Sequence, residues 1–236
     1  MHSSLVALLV VFAVAFAAPP YDPAPRPEQS WLDRHESFVN NTLVNAESIN
    51  VLFYGDSITD GWDNAGNPTF QEFYVPLGTA NYGIGGDRAE HVLWRIVNGE
   101  VQNLSPKIAV LKIGTNNLGA NNDTDIARGV AANVQELKAR LPDMKILLLG
   151  VLPRTNEAMT IRTSNINDMI SVLDNGDTTR FLDMKEHFYR GGNDFVTELY
   201  TADLLHLTAA GYAKWAEAMN PLFFEMFGQN STNLIV

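Results

Sequence analysis

The sequence predicts one three-layer α/β/α sandwich domain built on a flavodoxin-like, five-stranded parallel sheet. Two observations carry that prediction. Short apolar runs alternate along the chain with segments of helical periodicity, which is the pattern of βαβ units. The runs are continuous rather than alternating, as strands are when helices cover both faces of a sheet.

The elements follow in order. Residues 5–16 are almost wholly apolar and too short to span a bilayer. Ala15-Phe16-Ala17 then places small residues where a signal peptidase reads. Residues 1–17 are therefore expected to be a secretory signal peptide, and the protein is expected to be secreted. Residues 18–30 are proline-rich and read as an extended leader or linker. The domain is expected over 31–228, with a tail over 229–236. Roughly 210 residues remain after the signal segment, enough for one domain with a full core.

Trp31, His35, Phe38 and Leu43 recur at helical spacing ahead of the first strand. Strands are predicted at 51–54, 80–82, 108–113, 146–149 and 181–182. The clearest helix between them carries Ile126, Val130, Val134, Leu137 and Leu141, with Asn122-Asp123-Thr124 as its capping segment. Another passes through Val92, Leu93 and Ile96. A last helix carries Tyr212, Trp215, Ala216 and Met219, and Pro221 is expected to end it.

Composition excludes several classes. The formal charge is −11 and there is no basic run, a poor match to nucleic acid or an anionic membrane surface. There is no cysteine, so a thiol nucleophile and a thiolate metal site are both ruled out. After the signal segment no apolar stretch is long enough for an integral membrane span. Asn40, Asn122 and Asn230 head glycosylation sequons, as does Asn103, which Pro106 disfavours. A eukaryotic host would make these glycoprotein sites. His35, His91 and His187 lack metal-ligand spacing, so neither metal nor cofactor is proposed.

The chemistry-bearing residues come at strand ends, where open parallel sheets bind ligands. Ser57 stands in Gly55-Asp56-Ser57, straight after the first strand. Asp203 and His206 lie three residues apart near the C-terminus. A serine hydroxyl needs a base to accept its proton, and an imidazole needs a carboxylate to fix its tautomer. Taken alone, Asp203 could equally cap a turn and His206 pack on the core; beside Ser57 the catalytic reading is favoured. Thr208 reads as the cap of the last helix. Gly86, in Gly83-Ile84-Gly85-Gly86, and Asn116, in Gly114-Thr115-Asn116, could supply oxyanion donors. The glycine run lacks the third glycine of a dinucleotide loop. Thr59 replaces the second glycine of the Gly-x-Ser-x-Gly elbow. Asp60 and Trp62 could line the cleft mouth or be structural. Trp94 and Trp215 are assigned to the core.

This set, Gly-Asp-Ser, Gly86, Gly-Thr-Asn and Asp-x-x-His, resembles the four blocks of the SGNH (GDSL-type) hydrolase superfamily. Within it the chain is most similar to the catalytic subunits of the intracellular platelet-activating-factor acetylhydrolase. Trp31 to His35 with Phe38, Asn81 to Arg95, Leu152-Pro153-Arg154 and His206-Leu207-Thr208 with Gly211-Tyr212 carry that similarity. Arg88 departs from the family's usual threonine. The resemblance implies Ser57 as nucleophile, Asp203 and His206 as its partners, and Ser57, Gly86 and Asn116 as the oxyanion hole.

The expected activity is serine ester hydrolysis that removes acetyl or other short acyl groups. The partner is then a small-molecule or polysaccharide ester, and a homodimer is a further partner to consider. Ile58 and Leu205 flank the triad and are expected to shorten the acyl pocket. The alternatives are a lipase or lysophospholipase, and a non-catalytic carbohydrate-binding surface protein.

Overall fold

The computed structural model describes residues 18–228. The expected signal peptide, the tail over 229–236 and the sequon at Asn230 lie outside the described residues. The chain runs α1 (Gln29–Asn45), β1 (Val51–Gly55), α2 (Ser57–Asp60), α3 (Asn67–Phe73), β2 (Thr79–Gly83), α4 (Ala89–Arg95), β3 (Ile108–Lys112), α5 (Asp123–Arg140), β4 (Lys145–Leu149), α6 (Glu157–Ser171), β5 (Thr179–Leu182), α7 (Lys185–Phe188), β6 (Tyr189–Gly191), β7 (Asp194–Phe195) and α8 (Ala209–Phe227). The first five strands make one parallel sheet in the order β2-β1-β3-β4-β5. This is the doubly wound order, with its switch point between β1 and β3. β6 and β7 form a separate antiparallel pair.

Successive strand side chains point to opposite faces, and here each face meets a core. Leu52 and Tyr54 of β1 pack with Phe38 of α1, Val92 of α4, Val130 of α5 and Ile166 of α6. Val51 and Phe53 pack with Phe70 of α3 and with Tyr212, Trp215 and Phe223 of α8. Every residue of β1 and β3 is buried, which is why both read as apolar runs up to their last residues, Gly55 and Lys112. Each buried Val, Leu, Ile or Phe side chain among them contributes about 1.5–3 kcal/mol.

Three elements differ from expectation. α6 shows no apolar stripe in the sequence because Thr160, Thr163 and Asn167 share its buried face with Ile166 and Ile170. α8 runs through Pro221 instead of ending there. Pro221 is exposed, and so is Glu217 one turn earlier, whose carbonyl it leaves unpaired, so water can satisfy that group. Burial of Phe223, Phe224 and Phe227 beyond it outweighs the ~3 kcal/mol cost of an interior proline. In α1 it is Thr42 that turns inward, bonded to the Tyr82 hydroxyl and the Glu100 carbonyl at 2.7 Å each, while Leu43 is 54% exposed.

The leader is not a free linker. Pro20 is buried against Gly129, where a Cβ would come within 2.6 Å of the Pro20 Cβ. Ala24 N donates to the Glu90 carbonyl at 3.1 Å, and the Arg128 guanidinium lies 3.6 Å over the Tyr21 ring. Among the described residues no helix is long and apolar enough to cross a membrane.

Candidate active site

The turn after β1 builds the centre of the site. The Asp56 carboxylate accepts from Ile58 N at 2.9 Å and so caps α2, whose first residue is Ser57. Tyr212 of α8 steadies the same helix, its hydroxyl donating to the Ile58 carbonyl at 2.7 Å.

Ser57 Oγ lies 2.8 Å from His206 Nε2. His206 Nδ1 lies 2.6 Å from Asp203 Oδ2. Both contacts are satisfied when Nδ1 carries the imidazole proton and Nε2 accepts from the serine hydroxyl. The other Asp203 oxygen accepts from Thr201 Oγ1 at 2.7 Å, Leu205 N at 2.9 Å and His206 N at 3.0 Å. Burial by itself raises the Asp203 pKa, but the hydrogen bonds from Thr201 and His206 and from the two backbone N–H groups prevail. They hold the carboxyl well below the usual carboxylate range, so it is ionised at neutral pH.

This loop is fixed at both ends. Leu204 sits at φ 50°, in the left-handed region, a conformation costing roughly 1 kcal/mol or more for a side-chain-bearing residue. Its carbonyl accepts from Thr155 N at 2.8 Å. Thr208 caps α8, as expected, by accepting from Gly211 N at 3.2 Å.

The loop after β2 passes beside the serine: a Cβ on Gly85 would lie 3.8 Å from the Ser57 Cβ. Gly86 has φ +81°, open to glycine without steric cost. Asp87 then anchors the loop in the interior. Its carboxylate accepts from Trp31 Nε1 at 2.7 Å and Arg95 Nε at 2.9 Å. Arg95 continues to Glu100 at 2.6 Å, which His35 Nδ1 meets at 2.8 Å. Burial pushes the Asp87 carboxyl up to about 6, with Arg95 and Trp31 pulling the other way. The turn after β3 supplies Asn116, whose Nδ2 donates to the Asp87 carbonyl at 2.9 Å. Arg154 supports that turn, donating to the Thr115 carbonyl at 3.0 Å.

Ser57, Gly86, Asn116, Asp203 and His206 therefore converge at the carboxyl edge of the sheet. The expected acyl-pocket pair does not survive intact. Ile58 is 1% exposed and belongs to the core beneath α8, so it has no surface to offer a substrate. Leu205 is half-buried against the same core and keeps an open face. Trp62 is fully buried, a core residue. Asp60 instead walls a cavity of about 500 Å³ beside Gly85, together with Arg26, Arg34, Asp63 and Asn64. Arg34 Nη2 lies 3.1 Å from Asp60 there.

His91 lies on α4, where its Nδ1 accepts from Arg88 N at 3.1 Å. His187 lies on the short helix α7. Among the described residues no cluster of three or more His, Asp or Glu is placed to hold a metal. Sequence reasoning passed over Thr201, the Tyr212 hydroxyl and Arg26. Thr201, two residues before Asp203, was the most readable of the three; nothing in a proline-rich leader marks Arg26.

Residues 53–214 match the GDSL-like lipase/acylhydrolase family. The chain is 34% identical over 203 residues to the human platelet-activating factor acetylhydrolase IB subunit alpha2, covering 84% of this chain and 86% of that protein. It is 32% identical over 204 residues to the human alpha1 subunit, covering 85% of each. Its fold matches a GDSL-like lipase from Bacteroides thetaiotaomicron with a TM-score of 0.65 at 22% identity, over 81% of this chain and 98% of that one. It also matches an acetylxylan esterase from Geobacillus stearothermophilus with a TM-score of 0.58 at 19% identity, over 76% and 94%. With the length of the family match and the identity to the acetylhydrolase subunits, the chain belongs to the GDSL-like lipase/acylhydrolase family and is a serine ester hydrolase.

Proposed function

We propose that the protein is a secreted esterase that removes acetyl or other short acyl groups through an acyl-enzyme on Ser57. The observation that carries this reading is the continuous line of contacts from Ser57 Oγ to His206 at 2.8 Å and from His206 to Asp203 at 2.6 Å. His206 Nε2 takes the hydroxyl proton as Oγ attacks the ester carbonyl carbon. Asp203 stabilises the resulting imidazolium through Nδ1–H. The oxyanion is met by the Ser57 N–H, one of the first N–H groups of α2 that have no helical acceptor, by the Gly86 N–H and by the Asn116 amide. Collapse of the tetrahedral intermediate breaks the ester C–O bond, and Nε2 returns its proton to the departing alcohol. Water then gives a proton to His206 and its oxygen to the acyl carbon, releasing the acid and restoring Ser57.

Short-acyl preference is supported by Leu205 beside the base, by the polar walls of the cavity next to Gly85, and by the word acetylhydrolase in the names of the relatives. Export rests on the apolar segment and the small residues that follow it. The deciding experiment is Ser57→Ala with p-nitrophenyl acetate, circular dichroism reporting the fold. Turnover should fall by about 10⁴-fold or more. Substantial turnover by a pure, folded variant would place the nucleophile elsewhere. A wild-type optimum at octanoate or longer esters would make the enzyme a lipase instead.

A further inference from the structure

One side chain of the leader reaches the oxyanion loop. Arg26 Nη1 donates to the Gly85 carbonyl at 2.7 Å. The same atom lies 3.1 Å from where a Cβ would stand on Gly86. The remainder of the guanidinium is held by Glu28, at 3.3 Å from Nε and 3.4 Å from Nη2, while Nη1 also faces Asp87 Oδ1 at 3.6 Å. The leader is itself pinned by Pro20 on Gly129 and by Ala24 on the Glu90 carbonyl. Arg26 is thus presented from a fixed backbone.

The Gly85 carbonyl and the Gly86 N–H belong to one planar peptide unit and point to opposite sides of it. Whatever holds the carbonyl therefore aims the N–H. The need for such a hold is real here. Two consecutive glycines rotate more freely than any other pair, and both are exposed. Among the described residues the Gly86 N–H has no acceptor, so it is the donor left free for a ligand. A cationic donor on the carbonyl also polarises the peptide and strengthens its N–H as a donor.

We propose that Arg26 is a positioning residue for the oxyanion hole: from the leader it clamps the Gly85–Gly86 peptide so that the Gly86 N–H meets the tetrahedral intermediate. This rests on Ser57 as nucleophile and Gly86 as oxyanion donor. A mere strap would act differently. Losing a strap lowers the melting temperature and leaves the balance between transition-state and ground-state binding alone. Losing a clamp raises the barrier while substrate still binds.

The test uses the full chain with Arg26→Met, Arg26→Lys and Arg26→Ala. It measures kcat and KM on p-nitrophenyl acetate, melting temperature, and inhibition by a short-chain trifluoromethyl ketone, whose serine adduct carries the oxyanion. Arg26→Met should lower kcat about tenfold or more, a fraction of what loss of a whole donor costs. KM should stay within about twofold, and ketone inhibition should weaken in parallel with kcat. Arg26→Lys should recover part of the loss, and added guanidinium should raise the kcat of Arg26→Ala. The clamp is overturned if kcat stays at the wild-type value in Arg26→Met and Arg26→Lys. It is equally overturned if kcat falls with no change in ketone affinity. Should Arg26→Met not fold, Arg26→Lys carries the same comparison. A folded Ser57→Ala that still turns over would sink the underlying assignment. A dead Ser57→Ala beside an unaffected Arg26→Met would sink the clamp alone.

Discussion

The side-chain amide of Asn116 donates to the main-chain carbonyl of Asp87 at 2.9 Å, and that bond joins the loops after β2 and β3. At the same residue, the Asp87 carboxylate is fixed by Trp31 and Arg95 in the interior. The segments offered as oxyanion donors are thus tied to a buried network, the arrangement that preorganised electrostatic stabilisation requires.

Asn116→Ala should lower kcat by about 10²–10³, with a smaller change in KM, because an oxyanion donor acts mainly in the transition state. Steady-state kinetics on acetate esters checks this, alongside a melting curve. A change confined to KM would make Asn116 a substrate-binding or structural residue.

Acetate and propionate esters should be cleaved much faster than octanoate. With Ile58 in the core, the limit falls on Leu205 alone. Leu205→Ala should relax it by at most about 1–3 kcal/mol per accommodated methylene. A p-nitrophenyl ester series measures the shift. Equal loss on all chain lengths would mean that Leu205 only stiffens the His206 loop.

Stability should fall as the pH drops from about 6.5 to about 4, in part through His91. Burial, with Arg26, Arg88 and Arg95 nearby, lowers its pKa from 6.5 to about 4. In that window the unfolded chain binds a proton that the native chain refuses. The stabilisation is therefore complete above the unfolded value and is lost as the pH falls through the native one. Asp87, raised to about 6, works in the opposite direction, so the comparison must be made between variants. Urea denaturation at pH 7 and pH 4.5 should show a shallower loss in His91→Gln than in wild type. Identical losses would assign the pH dependence to other groups.

Hydrolysis should persist in excess EDTA, because the proposed proton transfers run through His206 and the oxyanion is met by N–H donors. Complete and reversible inactivation by chelation would contradict this route.

The sheet was legible because β1 and β3 are buried on both faces and so are apolar up to their last residues, Gly55 and Lys112. Ser57, Gly86 and Asn116 were legible because each follows a strand end, where position alone constrains use. What escaped has a common cause. α6 hides behind Thr160, Thr163 and Asn167, whose burial depends on partners that local periodicity does not reveal. α8 outlasts Pro221 because of the aromatic residues beyond it, a tertiary gain that overrides a local signal. Ile58 follows the nucleophile in sequence, yet the first turn of α2 directs it into the core while Ser57 keeps an open face. Adjacency along a helix is not adjacency on its surface.

The segment matching the family, 53–214, begins after α1. Excised at that boundary, the chain would keep Asp87, Arg95 and Glu100 but lose Trp31, His35 and Thr42, which complete their surroundings. Leaving a buried polar group without its hydrogen-bond partner costs about 1–3 kcal/mol, and more for a charged group, so these losses together are a large share of the roughly 5–15 kcal/mol that holds a domain folded. The stretch by which kinship is recognised is therefore shorter than the stretch that can stand as a folding unit, and an expression boundary belongs upstream of the leader's Pro20.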